Sequence, residues 1–219
     1  MVGFKALALP VTSDVAPRCT IGGRAKLPSE IDVPRCRKCS AQLLLFLQFD
    51  IDCAWCLPFV AESHLAVFMC PQCNEIPSFE FPTGQLPAQY WDKNEGHFFA
   101  VMSKPSSMES VRHAEPILVT KELQFEPMAQ DGHAPDTIRV GGNPFWLQGS
   151  ERFVCTCGSE MAFVAQIAEN FEFEKQVNAP EQPDSFSSNA YCLFLGNEVY
   201  IFACPEQCNS RSVWITVQG

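Results

Sequence analysis

All but two of the twelve cysteines stand in close pairs, and the pairs recur in a regular order. Cys36 and Cys39 open one segment, which closes on Cys70 and Cys73. Cys155 and Cys157 open another, which closes on Cys204 and Cys208. Thiolates are the preferred protein ligands of closed tetrahedral zinc sites, and two short cysteine turns can each offer two sulfurs to one ion. A further pair, Cys53 and Cys56, lies inside the first segment, so spacing alone allows Cys36 and Cys39 to join either Cys53/Cys56 or Cys70/Cys73. Strand length decides between them. About ten extended residues at ~3.3 Å each carry the chain some 30 Å, which puts Cys53 and Cys56 at the far end of the outgoing strand. A return strand brings Cys70 and Cys73 back to its start. The second segment keeps only the outer pairs, with Phe171 and Glu174 near where an inner pair would fall. The expected sites are therefore Cys36, Cys39, Cys70 and Cys73 for one zinc ion, and Cys155, Cys157, Cys204 and Cys208 for a second. The competing reading is that these thiols are small buried hydrophobes.

Cys53-Ala54-Trp55-Cys56 also fits a thiol–disulfide site, which needs a helix N-terminus to lower a cysteine pKa. Pro58, five residues after Cys53, would break such a helix in its second turn, so a hairpin-tip pair without catalytic role is favoured. Cys19 and Cys192 have no partners in sequence and read as space-fillers. His64, His97, His113 and His133 are isolated. No zinc-hydrolase, nucleophile-elbow, Walker or dinucleotide-binding pattern is present.

The elements that must position these thiols read as β. "VFMCPQC" returns as "YIFACPEQC", and the match extends further. "IGGRAKLPSEIDVP", "RCRKC" and "QLLLFLQFDI" are answered by "VGGNPFWL", "VCTCG" and "MAFVAQIA". Five features in one order read as an internal duplication. In residues 42–52, Phe49 and Ile51 alternate with Gln48, Asp50 and Asp52. The return strand places Leu65, Val67 and Met69 on one face. In the second segment the return strand reads as "YCLFLGNEVYIFA", with Gly196-Asn197 as a bulge or turn within it. "HFFAVMS" and "PILVTKELQF" are two further strands, joined by a loop with room for one helical turn. Residues 173–190 read as a surface loop. Gly22-Gly23 and Gly141-Gly142 suit tight turns. Gln48 and Gln166 recur at one point of each segment, either as buried amides tying adjacent backbone or as peptide-docking contacts, with the first favoured. The fold expected is all-β, two repeats packed as one globular domain: residues 1–139 with the connecting strands, and residues 140–219.

Composition narrows the function. With 47% hydrophobic and 18% charged residues among 219, the chain suits a globular core. A formal charge of −10 disfavours a sequence-independent grip on nucleic acid and suits a basic protein client. Asp50 and Asp52, if beside an exposed strand edge, would steer such a client or simply keep that edge soluble. No apolar run approaches the ~20 residues of a membrane helix. The first residues form no secretory signal, so the expected location is cytoplasmic.

The chain resembles the YwqG and programmed cell death protein 2 superfamily from about Ile21 to Cys208. "IGGRAKLP" and "VGGNPFWL" are similar to its Gly-Gly-x-P-x-L opening, "LFLQFDI" and "FVAQIA" to its glutamine-bearing strand, and the two cysteine endings to its eukaryotic branch. The resemblance implies a duplicated β unit whose halves exchange strands, acting as a protein-interaction module. Eukaryotic members are chaperones for a basic ribosomal protein, and some bacterial ones are suspected toxin-immunity proteins. Ala25 in place of the opening proline, the missing extra finger and the added Cys53/Cys56 favour a bacterial-type member. The expected function is a non-enzymatic, zinc-stabilised module with a chaperone-like or inhibitory hold on a protein. The alternatives are a thiol–disulfide oxidoreductase using Cys53 and Cys56, and a toxin-immunity protein.

Overall fold

The computed structural model describes residues 2–12, 16–77, 85, 96–105, 108–110 (backbone only), 116–128 and 135–219. The described residues form fourteen strands: β1 (Phe4–Pro10), β2 (Thr20–Ile21), β3 (Lys26–Pro28), β4 (Leu44–Asp50), β5 (His64–Met69), β6 (Phe98–Ser103) and β7 (Met108–Ser110), followed by β8 (Lys121–Pro127), β9 (Ile138–Val140), β10 (Ala162–Ile167), β11 (Phe173–Glu174), β12 (Ala190–Tyr191), β13 (Glu198–Ala203) and β14 (Val213–Gln218). Helix is confined to two three-residue 3-10 turns, Cys53–Trp55 and Phe194–Gly196, among the described residues.

Ten strands form one sheet in the order β14-β13-β10-β9-β1-β8-β2-β4-β5-β6, and every pair within it is antiparallel. The sheet curls until its outer strands approach: the Met102 N–H of β6 donates to the Ser210 carbonyl just before β14, at 2.8 Å. The all-β expectation holds. The order is symmetric about the central β1–β8 pair. β1 precedes β2 in sequence but lies beside β9, while β8 precedes β9 and lies beside β2. β1, from the start of the chain, thus completes the half built from β9, β10, β13 and β14, and β8, which immediately precedes β9, completes the half built from β2, β4, β5 and β6.

The long hydrophobic run of β4 serves both sheet faces because a bulge between Leu45 and Leu47 changes its parity. Leu44, Phe46, Leu47, Phe49 and Ile51 join the main core, whereas Leu43 and Leu45 join a second apolar cluster with Ala25, Leu27, Phe68 and Val101. β10 has the corresponding bulge between Phe163 and Ala165. Each bulged residue offers its carbonyl to the first glycine of a Gly-Gly turn: Gly22 N–H to Phe46 at 2.8 Å, Gly141 N–H to Val164 at 2.9 Å. Gly22 has φ +59, and a Cβ there would lie 2.9 Å from the Leu118 Cβ, so both backbone and space require glycine.

Three sequence-based expectations change in detail. The second return strand begins only at Glu198, because Gly196-Asn197 takes the turn alternative, with φ positive at Phe194, Leu195 and Gly196. Within the loop that had room for a helical turn, residues 108–110 are extended as β7 and pair with β3. The loop at 173–190 is anchored at both ends by the β11–β12 pair. His113 and His133 lie outside the described residues.

Candidate metal centres

The antiparallel hairpin β4–β5 pairs Leu44 with Met69, so the residues flanking its open end, Leu43 and Cys70, are neighbours. That brings the turn carrying Cys36 and Cys39 to the knuckle carrying Cys70 and Cys73. The hairpin β10–β13 does the same by pairing Ala162 with Ala203. Within each set, Cys36/Cys39/Cys70/Cys73 and Cys155/Cys157/Cys204/Cys208, all four Sγ atoms lie within 4.8 Å of one another. The Sγ separations are 3.8 Å for Cys36–Cys73, 3.4 Å for Cys39–Cys70, 3.5 Å for Cys155–Cys208 and 3.6 Å for Cys157–Cys204. Four sulfurs at ~2.3 Å from a central ion stand ~3.8 Å apart in a tetrahedron, so both sets match the size of a closed metal site. These distances are far beyond the ~2.05 Å of a disulfide bond.

Backbone turns aim the sulfurs inward. In the first centre Ser40 N–H donates to the Cys36 carbonyl at 2.8 Å, with Ser40 at φ 63, and Gln72 N–H points at the Cys70 Sγ at 3.4 Å. In the second, Gly158 N–H donates to the Cys155 carbonyl and Gln207 N–H to that of Cys204, both at 2.9 Å. Gly158 and Gln207 have positive φ.

The thiols differ in acidity. Burial pushes Cys73 and Cys204 up to about 12 and raises Cys70 and Cys208 as well. The Ser159 backbone N–H and hydroxyl draw exposed Cys157 down to about 6. Cys39 is lowered too: desolvation opposes this, but the Ala41 N–H and the neighbouring thiols outweigh it. Each centre thus presents one exposed, readily ionised thiol, and an incoming cation must displace protons from the raised ones, Cys70 and Cys73 in the first and Cys204 and Cys208 in the second.

Cys53 and Cys56 are brought to neither centre. Both are exposed at the opposite end of the β4–β5 hairpin, on the Cys53–Trp55 turn. Asp52 caps that turn by accepting the Ala54 N–H at 2.8 Å, and Cys56 sits in the left-handed region. Between the two cysteines, Trp55 is buried against Phe125, Phe49 and Phe4. The pair therefore flanks an aromatic anchor, and a three-residue turn supplies no helix N-terminus. Cys19 is half-buried under the Asp50 N–H at 3.4 Å, and burial lifts its thiol to about 11. Cys192 is buried beside the Asn74 amide.

The two recurring glutamines are buried ties. Gln48 donates to the Thr20 hydroxyl and the Arg24 carbonyl, both at 3.0 Å, and accepts from the Lys26 N–H at 2.8 Å. Gln166 accepts the Phe145 N–H at 2.9 Å and donates to the Phe145 carbonyl at 2.8 Å. Each pins the segment after a Gly-Gly turn onto the sheet. The first residue of the return strand completes each network. Buried His64 places Nε2 at 3.2 Å from Gln48 Oε1 and Nδ1 at 2.8 Å from Asp50, while buried Glu198 accepts from Gln166 Nε2 and, at 2.7 Å, from the Glu169 N–H.

Asp50 does not stand at an open edge. β4 is flanked by β2 and β5, and the Asp50 carboxylate is held by a two-pronged Arg18 contact at 2.6 and 2.9 Å as well as by His64. Desolvation would raise its pKa, but the His64 and Arg18 bonds more than offset this and hold it below the ordinary carboxylate value. Asp50 and Asp52 are thus engaged within the chain rather than poised for a client.

Sequence reasoning missed two side chains of the cysteine knuckles. Asn74, next to Cys73, donates to the Pro183 carbonyl at 2.9 Å and accepts the Leu195 N–H at 3.1 Å. Gln207, next to Cys208, accepts the Val60 N–H at 3.2 Å and donates to the Ser63 hydroxyl at 2.9 Å. Each knuckle therefore grips the hairpin tip of the other half of the sheet. Nothing local signals this, since the partners are more than a hundred residues away.

Compared with known proteins, the chain matches no family model and no curated sequence. The two cysteine tetrads are the features that carry a functional reading.

Proposed function

We propose that the protein is a non-enzymatic interaction module stabilised by two structural zinc ions, with a chaperone-like or inhibitory hold on a protein client. The observation that carries this reading is the closure of two four-sulfur sets from sequence-distant pairs. An all-thiolate tetrahedral set with no open position suits a structural ion rather than a catalytic one, and among common metals it suits zinc or iron. The motifs shared with the YwqG and programmed cell death protein 2 superfamily support a duplicated β unit and a protein client, with a toxin-immunity role as one form of the inhibitory case. The net charge of −10 suits a basic client.

Metal analysis of the full chain purified without chelator tests the first half: two zinc ions per chain are expected, and a metal-free protein with titratable thiols throughout overturns it. Affinity purification from the native cell, followed by binding with purified client, tests the second half. The thiol–disulfide reading draws on the exposure of both Cys53 and Cys56. Turnover of a disulfide substrate that is lost in Cys53→Ser would establish that reading instead.

A further inference from the structure

The ten-stranded sheet has one unzipped place. β6 and β14 approach without a hydrogen-bonded ladder, whereas the neighbouring β5–β6 and β13–β14 contacts each pair six residues. What crosses this seam comes from the loop of residues 204–212. The Ser210 carbonyl accepts the Met102 N–H at 2.8 Å, and the Arg211 guanidinium lies 5.7 Å above the Phe99 ring. The same loop reaches the hairpin tip at Val60 and Ser63 through Gln207. The Ser103 hydroxyl at the end of β6 is buried with no hydrogen-bond partner among the described residues, as an incompletely joined edge would leave it.

That loop also carries two of the four sulfurs of the second centre. Cys204 opens it and Cys208 stands at its middle, just before Ser210 and Arg211, and the Cys208 Sγ faces the Cys155 Sγ at 3.5 Å and the Ser212 hydroxyl at 3.4 Å. Gln207, the residue that reaches across, holds φ 44, a conformation costly for a side chain with a Cβ and kept only where surroundings enforce it. Cys204 and Cys155 are buried in the main core, but Cys208, Asn209 and Arg211 are exposed, so little apolar burial holds the outer part of the loop in place.

We propose that the Cys155/Cys157/Cys204/Cys208 centre is a metal-operated latch on the β6–β14 seam. With an ion bound, the Cys204 and Cys208 sulfurs tie the 204–212 loop through the metal to Cys155 and Cys157 and so hold Ser210, Arg211 and Gln207 against the first half of the sheet. Without the ion, the loop relaxes and the seam opens, turning a nearly closed ring into an open sheet. The local opening free energy is lowest where no ladder exists, so the seam gives way before the paired strands do. This inference rests on the reading that the second centre holds metal.

The test is amide hydrogen exchange on the full chain, with metal content followed by native mass spectrometry. Removing the ion by chelator, or by Cys208→Ser, is expected to speed exchange in residues 98–103 and 213–218 by about tenfold. Residues 44–50, paired on both sides, keep their protection. Gln207→Ala retains all four thiols and is expected to keep both ions while loosening residues 60–63 and the seam. It serves if Cys208→Ser does not fold. Metal loss with unchanged seam exchange overturns the latch while leaving the zinc reading intact, as does a uniform rise across all strands. Wild-type protein without metal at the second centre removes both.

Discussion

The two thiol centres reach one arrangement by different routes. The first is drawn from two C-x2-C turns, the second from C-x-C and C-x3-C, yet in both all four Sγ atoms lie within 4.8 Å of one another. Their surroundings also differ. Arg35, Arg37 and Lys38 crowd the first set in sequence, and Lys38 is ion-paired with Glu75 on the facing knuckle. The second set has hydroxyls instead, from Thr156, Ser159 and Ser212. Four thiolates around a divalent ion leave a net charge of −2, which cations offset more strongly than neutral donors do. The lesson is that the paired strand ends fix where the sulfurs meet, and the loops between are free to vary in length and in charge.

The largest expected effect tests whether the centres are equivalent. Bound structural zinc contributes roughly 10 kcal/mol in small peptides, and part of that here, where the sheet has its own core. Cys70→Ser and Cys204→Ser should each lower Tm by roughly 10 °C, given ~2–4 °C per kcal/mol at this chain length. Cys53→Ser, on an exposed turn, should change Tm by no more than about 2 °C. Scanning calorimetry decides, and equal damage from Cys53→Ser would break the assignment. Of the two centres, the second should yield its ion to a chelator first, since its spacings are looser and cations are fewer. Metal counts along a chelator titration of Cys70→Ser and Cys204→Ser report the order.

A smaller effect separates the two glutamines. Gln48 serves Thr20, Arg24, Lys26 and His64, whereas Gln166 serves Phe145 twice and Glu198 once. Leucine at either site strands buried polar groups at about 1–3 kcal/mol. Gln48→Leu should sit at the upper end of that range and Gln166→Leu at the lower, by urea unfolding. The reverse order would mean that the His64 contact adds nothing.

The smallest effect concerns acid. Asp50 is held below its ordinary pKa, so its contribution to stability is present above the unfolded value near ~3.9 and is lost as pH falls through its folded value. Wild-type protein should therefore lose stability in that acid window more steeply than Asp50→Asn, which lacks the titration. Urea midpoints measured across the window check this. Parallel curves for the two proteins would show that Arg18 and His64 bias Asp50 too little to matter, as solvent screening of the partly exposed Arg18 contact would allow.

Much of the molecule was legible in the sequence because its signals are local. Thiol pairs at the two ends of a strand of known rise can meet only through a return strand, so ligand sets followed from distance arithmetic. Glutamines recurring at one point of two similar strands pointed to buried ties, and the structure places both amides on backbone groups. The β4 bulge was not legible, because one inserted residue shifts parity without disturbing composition. Nor was β1: residues 4–10 have weak alternation, and their place depends on β8 and β9, more than a hundred residues away. Only the tertiary structure decided that β1 and β8 are the strands that cross between the halves, the grip of Asn74 and Gln207 on opposite hairpin tips, and the seam at Met102 and Ser210. Periodicity reports which face of a strand is buried; it carries no record of which distant edge supplies the partner.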